Sequence, residues 1–225
     1  VNHPILRLWF KTVPYFISAA LFLSGFFTVF SPLPLLVLGV GEGLSFAFLA
    51  TLTNSALIYF SSGPAFFQFY LIFVATSGLF IPFFLVHRKY GIEKTTAYTW
   101  ASQIVVLLSL LFVYALIHGH GFIEEIRMIV GGFFDLLLNS LTPDARQKML
   151  GEMSEVQWRQ KTLIELPSNL ATFALVVVWT NLYLLVGLNP KRAIAQLGIT
   201  RASFRQWKTS EWLIWPTLGC WFLVL

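Results

Sequence analysis

Long apolar runs, separated by short polar breaks, dominate the chain. They cover about 12–30, 33–60, 66–86, 97–117 and 163–187, and each approaches or exceeds the roughly 18 residues that signal a membrane-crossing helix. Within them the apolar residues are continuous rather than alternating, which points to helices and away from barrel strands. The pattern predicts an all-α, polytopic transmembrane helical bundle.

Charge adds a direction to each run. Positive residues gather at Arg7 and Lys11, in "HRKYGIEK" (Arg88, Lys89, Lys94), and in "PKRAIAQLGITRASFRQWK" (Lys191, Arg192, Arg201, Arg205, Lys208). Loops rich in Lys and Arg stay on the cytoplasmic side. The connections "SPLP", "SSGP" and "HGHG" carry no lysine, arginine or carboxylate and suit the other side. The first run then leads outward, 66–86 inward, 97–117 outward and 163–187 inward, from a cytoplasmic N-terminus. The segment 33–60 must therefore cross an even number of times. As one straight helix it would be about 42 Å long, beyond a ~30 Å hydrocarbon core. A hairpin broken at "GVGEG" resolves the conflict. Its first arm, 33–40, reaches about 12 Å as helix and is expected to be re-entrant or to lie beside a cavity.

The segment 122–162 starts and ends outside. Ile123, Ile126, Val130, Phe133, Leu137 and Leu141 share one helical face of its first part, while Arg127, Gly131, Asp135 and Asn139 recur every fourth residue on another. It reads as an extracytoplasmic, partly interfacial excursion from one integral membrane domain spanning 1–225. Pro167 is expected in the first turn of the span that follows. The last run, "EWLIWPTLGCWFLVL", is too short to cross, so the natural protein is expected to continue past Leu225. The expected total is about six or seven membrane segments, including the broken hairpin.

Composition narrows the chemistry. The chain is 57% hydrophobic and only 11% charged, against about 25% charged in an average soluble domain. Its net charge of +5 fits basic cytoplasmic loops rather than nucleic-acid binding. One cysteine, Cys220, excludes an intramolecular disulfide and a Cys-based metal cluster. No phosphate-binding loop, H-E-x-x-H or G-x-S-x-G motif occurs, so the expectation is a protein that is not an enzyme and takes no cofactor or metal. His118 and His120 sit beside glycines with no matched third ligand and read as a loop.

Glu42 is the leading candidate for a ligand contact. A carboxylate at membrane depth costs a few kcal/mol and normally faces a cavity or a partner. Gly39, Gly41 and Gly43 around it free the backbone for a turn, or for close approach by a polar ligand. The competing reading is a solvated cytoplasmic turn. Asn54 lies twelve residues on, either on the same side as Glu42 or in an interhelical hydrogen bond. Asp135 and Asn139 form a second candidate face, against a solvated interfacial helix. Asn169 and Asn181 read as packing contacts. Ala20, Ser24 and Thr28 repeat every four residues, a spacing that lets a helix approach its own bundle or a membrane partner closely; the other expected partner is the lipid bilayer.

The order of features also carries a resemblance. An outward span, "SPLPLLVLGVGEG", a hairpin, "LPSNLATFALVVVWTNLYLL", "PKRAIAQLGI" and "FRQWKTSEWLIWP" together resemble the YybS-like family of predicted bacterial membrane proteins, a domain of unknown function. That family is distantly similar to the substrate-binding S subunits of energy-coupling-factor transporters. The resemblance implies the bacterial cytoplasmic membrane and a small-molecule-binding transport subunit. S subunits often carry Ala-x-x-x-Ala for docking on the first span, where this chain has Ala20-x-x-x-Ser24. The alternatives are a non-catalytic scaffold binding partner proteins and, more remotely, a membrane enzyme using Asp135 or Glu42 as base.

Overall fold

The structure is a computed structural model that describes residues 14–119, 121–151 and 153–188. All regular structure among them is helical: α1 (Pro14–Leu23), α2 (Pro32–Gly41), α3 (Leu44–Ser62), α4 (Pro64–His87), α5 (Ile92–His118), α6 (Phe122–Ser140), α7 (Pro143–Leu150) and α8 (Glu155–Leu188). Local chemistry sets the boundaries. Pro32, Pro64 and Pro143 occupy first-turn positions, where a missing N–H costs nothing. Thr142 caps α7 by accepting a hydrogen bond from the Ala145 N–H at 3.4 Å.

Among the described residues four helices are long and apolar enough to cross a membrane: α3, α4, α5 and α8. With α1 and α2 they form an integral membrane helical bundle. α1 and α2 have ten residues each, and the run expected from 211 onward lies outside the described residues. α8, with 34 residues, is about 51 Å long, so its charged first turns extend past the core. The helix continues past Pro167, which therefore sits inside it and not in its first turn.

The first apolar run does not form one helix. α1 stops at Leu23, Gly25 adopts φ +71°, and Thr28–Phe30 is a 3-10 turn. Two hydroxyls hold this stop. Ser24 Oγ donates to the Leu21 carbonyl (2.6 Å) and accepts from the Phe27 N–H (3.1 Å). Thr28 Oγ1 contacts the Gly25 and Phe22 carbonyls at 2.8 and 3.1 Å. Such side-chain bonds compete with the helical ladder. Of Ala20, Ser24 and Thr28, only Ala20 lies within α1, so the three do not line one continuous helical face.

α2 and α3 form a hairpin whose reversal falls at Glu42–Gly43. Gly43 alone of the three glycines has positive φ, +113°. Gly39 is a contact residue: a Cβ there would lie 2.8 Å from Pro82 Cγ on α4. Gly78 on α4 reciprocates, with a Cβ falling 2.7 Å from Leu35 Cδ1. α2 is thus clamped against α4 by two side-chain-free positions, and Leu35 and Leu36 are wholly buried. α4 itself widens into π-helical turns at Tyr70–Ala75 and Phe83–His87. The second follows Pro82, which supplies no N–H to the ladder.

α5 reverses the usual amphipathic arrangement. Its buried face holds Thr95, Thr96, Thr99 and Gln103, while Val105, Phe112, Leu116 and Ile117 are exposed. In water that arrangement would fail; in lipid the apolar side meets acyl chains and the polar side meets protein.

Candidate functional site

Asn54 is fully buried on α3. Its Oδ1 accepts from the Ala19 N–H of α1 at 2.7 Å, and its Nδ2 donates to the Ala50 carbonyl at 2.7 Å. Nearby, Ser18 Oγ donates to the Ser31 carbonyl (2.8 Å) and lies 2.9 Å from the Tyr70 hydroxyl. These bonds join α1, the start of α2, α3 and α4. Asn181 of α8 similarly donates to the Val29 carbonyl at 2.6 Å, and Trp100 Nε1 of α5 to the Ala171 carbonyl of α8 at 3.0 Å. Interhelical hydrogen bonds of this kind contribute under about 2 kcal/mol each, but they fix which helices are neighbours. Asn169, on the same helix as Asn181, is exposed.

Glu42 is exposed at the C-terminal end of α2. Gly39 lies against Pro82, and Glu42 follows about 4.5 Å further along the axis. That places the turn near the end of α4 carrying His87 and Arg88. Asn54 lies about 15 Å up α3 from its start and points its amide at α1. The structure therefore does not bring Glu42 and Asn54 into one pocket.

Asp135 sits in α6, at the opposite end of the bundle. Arg159 Nη2 donates to its Oδ1 at 2.5 Å and to Glu155 Oε1 at 2.7 Å, while Arg146 Nη2 donates to Glu155 Oε2 at 2.5 Å. Two arginines and two carboxylates thus tie α6, α7 and the start of α8. Phe134 packs edge-on against Trp158 beneath them, centroids 4.9 Å apart. A cleft of about 360 Å³ opens beside Arg146, lined also by Leu141, Pro143, Gln147, Leu150 and Met153. Asn139 is on α6, with its side chain outside the described residues. His118 packs on Tyr114 at 5.0 Å, and His120 lies outside the described residues. Among the described residues no group of three or more His, Cys, Asp or Glu is placed to hold a metal.

The hydrogen bonds from Arg159 and then Arg146 hold the Glu155 carboxyl below its ordinary range. A lowered folded-state value means that the brace contributes above the ordinary carboxylate range and is lost as pH falls through the lowered value. Acidification from about pH 7 to about pH 3 is expected to lower amide protection, taken relative to the intrinsic exchange rate at each pH, across 143–151 and 153–160, leaving protection in α4 unchanged. Being exposed, the brace should also weaken in high salt. Equal protection at both pH values would remove Glu155 as its centre.

One polar cluster escapes a reading that treats 97–117 simply as a span. Gln103 Nε2 donates to Ser77 Oγ (2.9 Å) and to the Phe73 carbonyl (3.2 Å), to which Ser77 Oγ also donates (2.6 Å). The signal was the spacing of Thr95, Thr96, Thr99 and Gln103, which places all four on one helical face.

The family described as "Predicted membrane protein (DUF2232)" matches residues 14–225. No curated protein and no solved structure matches the chain.

Proposed function

The chain belongs to the DUF2232, or YybS-like, family of predicted membrane proteins, and from that premise we propose that it is a non-catalytic subunit of the bacterial cytoplasmic membrane that presents an extracytoplasmic platform to a partner protein. The observation that carries this reading is the four-member charged brace, Asp135–Arg159–Glu155–Arg146, which fixes α6 and α7 on the projecting end of α8. With the basic turn at Arg88 cytoplasmic, the brace lies outside and the N-terminus inside. α2 is the short re-entrant arm of the broken α2–α3 hairpin, and with α1, α3, α4, α5 and α8 it makes six membrane segments among the described residues. Within the membrane, Asn54, Asn181 and Trp100 bond other helices of the same chain, in keeping with a scaffold. The exposed side of α1 around Ala20 is a surface for a membrane partner.

A photo-crosslinking residue at Gln147, in cells, tests the platform. The expected result is one discrete protein adduct that disappears in Glu155→Lys while membrane levels of the chain hold. Absence of any adduct, or an adduct indifferent to Glu155→Lys, would sink this reading.

A second reading, a small-molecule-binding transport subunit, is favoured by the cleft beside Arg146, whose roughly 360 Å³ suits a small ligand. Thermal-shift screening of vitamins and metal ions checks it. A true ligand raises the melting temperature by mass action, and Arg146→Gln should abolish the effect of an anionic one. Glu42→Gln would instead weaken a cationic ligand bound at the α2–α3 turn, where Gly41 and Gly43, unlike the buried Gly39, leave backbone accessible.

A further inference from the structure

α5 carries three buried oxygens that lack a hydrogen-bond partner: Thr96 Oγ1, Thr99 Oγ1 and Gln103 Oε1. Thr96 and Thr99 are fully buried and Gln103 is 1% exposed. They lie on one helical face over about 10 Å of axis, where α5 packs against α4 and α8.

Two features show that these groups are turned to an interhelical seam. Hydroxyls in the helices of this chain habitually bond the carbonyl four residues back, as Thr51, Thr53, Ser77, Ser102 and Thr162 do. Thr96 and Thr99 do not. Gln103 commits its amide nitrogen to Phe73 and Ser77, which fixes the orientation of the amide and leaves Oε1 as a lone acceptor. A buried unpartnered oxygen costs about 1–3 kcal/mol, so three on one face call for a guest.

The chemistry of the seam selects that guest. No Asp, Glu, Lys or Arg occurs on α5 beyond Lys94, on α4, or on α8 beyond Glu165. An anion would have only the Thr96 and Thr99 hydroxyls as donors, with the Gln103 donors taken and its Oε1 set against the negative charge. A divalent ion would need carboxylates. What fits is a small electropositive guest. The widened turn Tyr70–Ala75 of α4 contributes the Phe73 carbonyl to the same cluster, and π-helical turns recur at functional sites.

We propose that the α4–α5–α8 seam binds ordered water or a monovalent cation on Thr96, Thr99 and Gln103. The test is thermal unfolding of the full chain in detergent. Thr96→Val and Thr99→Val keep the shape and delete the hydroxyl, and each should lower the melting temperature by about 2–4 °C. Thr99→Ser, which keeps the hydroxyl, should stay near the parent, as should Thr53→Val, whose hydroxyl bonds its own helix. An unchanged or raised melting temperature in both Val variants overturns the proposal, because that is the result of deleting a hydroxyl with no guest. An equal loss in Thr53→Val also overturns it. Replacing sodium and potassium by N-methylglucamine at constant ionic strength then separates the guests. A fall in the parent that is absent in Thr99→Val identifies a cation; a parent indifferent to the replacement, with the Val variants still destabilised, identifies water.

Discussion

Gly78→Ala destabilises the bundle by about 1–3 kcal/mol, the usual effect of overfilling a packed interior. The added Cβ would fall 2.7 Å from Leu35 Cδ1 and 2.8 Å from Leu35 Cβ, and Leu35 is fully buried, with nowhere to swing. Gly39→Ala meets a stiffer obstacle, the Pro82 ring, and its Cβ would also lie 3.3 Å from Ala47 Cβ. The glycines of "GVGEG" should therefore respond in three different ways. Gly39→Ala is destabilising through contact. Gly43→Ala is destabilising through its backbone, because φ +113° is a region that side chains resist. Gly41→Ala meets nothing within 4 Å and should be neutral or stabilising by up to about 1 kcal/mol, as alanine is for glycine in a helix. Denaturant titration of the three variants in detergent reads this order. Equal responses at 39 and 41 would show that α2 and α4 do not meet at Gly39.

Asn54→Asp costs about 3 kcal/mol or more, although the side chain barely changes size. Its nearer oxygen could still accept from Ala19, but the second would face the Ala50 carbonyl that now receives a hydrogen bond. An isolated carboxylate at membrane depth carries a penalty of that order on insertion scales. Asn54→Leu removes the hydrogen bonds without adding charge and should cost less. The pair also speaks to function. If Asn54 contacted a cationic ligand, the aspartate would be tolerated and would tighten binding; as a tie between α1 and α3 it will be the worse variant. Stability of both proteins, measured side by side, decides.

What the sequence made legible follows from the physics of each feature. The spans at α3, α4, α5 and α8 were readable because lipid selects long apolar runs directly. The stop at Leu23 was not, because "SGFFTVF" stays apolar on average while Gly25, Ser24 and Thr28 act one residue at a time. The turn in "GVGEG" was readable from the count of crossings, yet its level was not, since that depends on Gly39 meeting Pro82 far along the chain. Asp135 stood out as a polar position on an amphipathic helix, but its partner Arg159 lies 24 residues away, and no helical periodicity links α6 to α8. The Gln103–Ser77 cluster hid inside runs whose average hydrophobicity masked a polar face.

That polar face on α5 bears on how the chain is built. Thr and Gln are uncharged, so α5 can partition into the bilayer alone at moderate cost, its outward Val, Leu and Phe offsetting them. Once there, lipid tails are as apolar as leucine and give helices no reason to associate. The hydroxyls and the amide supply that reason. α5 is thus a helix that can enter the membrane beside α4, which precedes it in the chain, and be left part-satisfied until α8 arrives, an assembly order written into the side that faces inward.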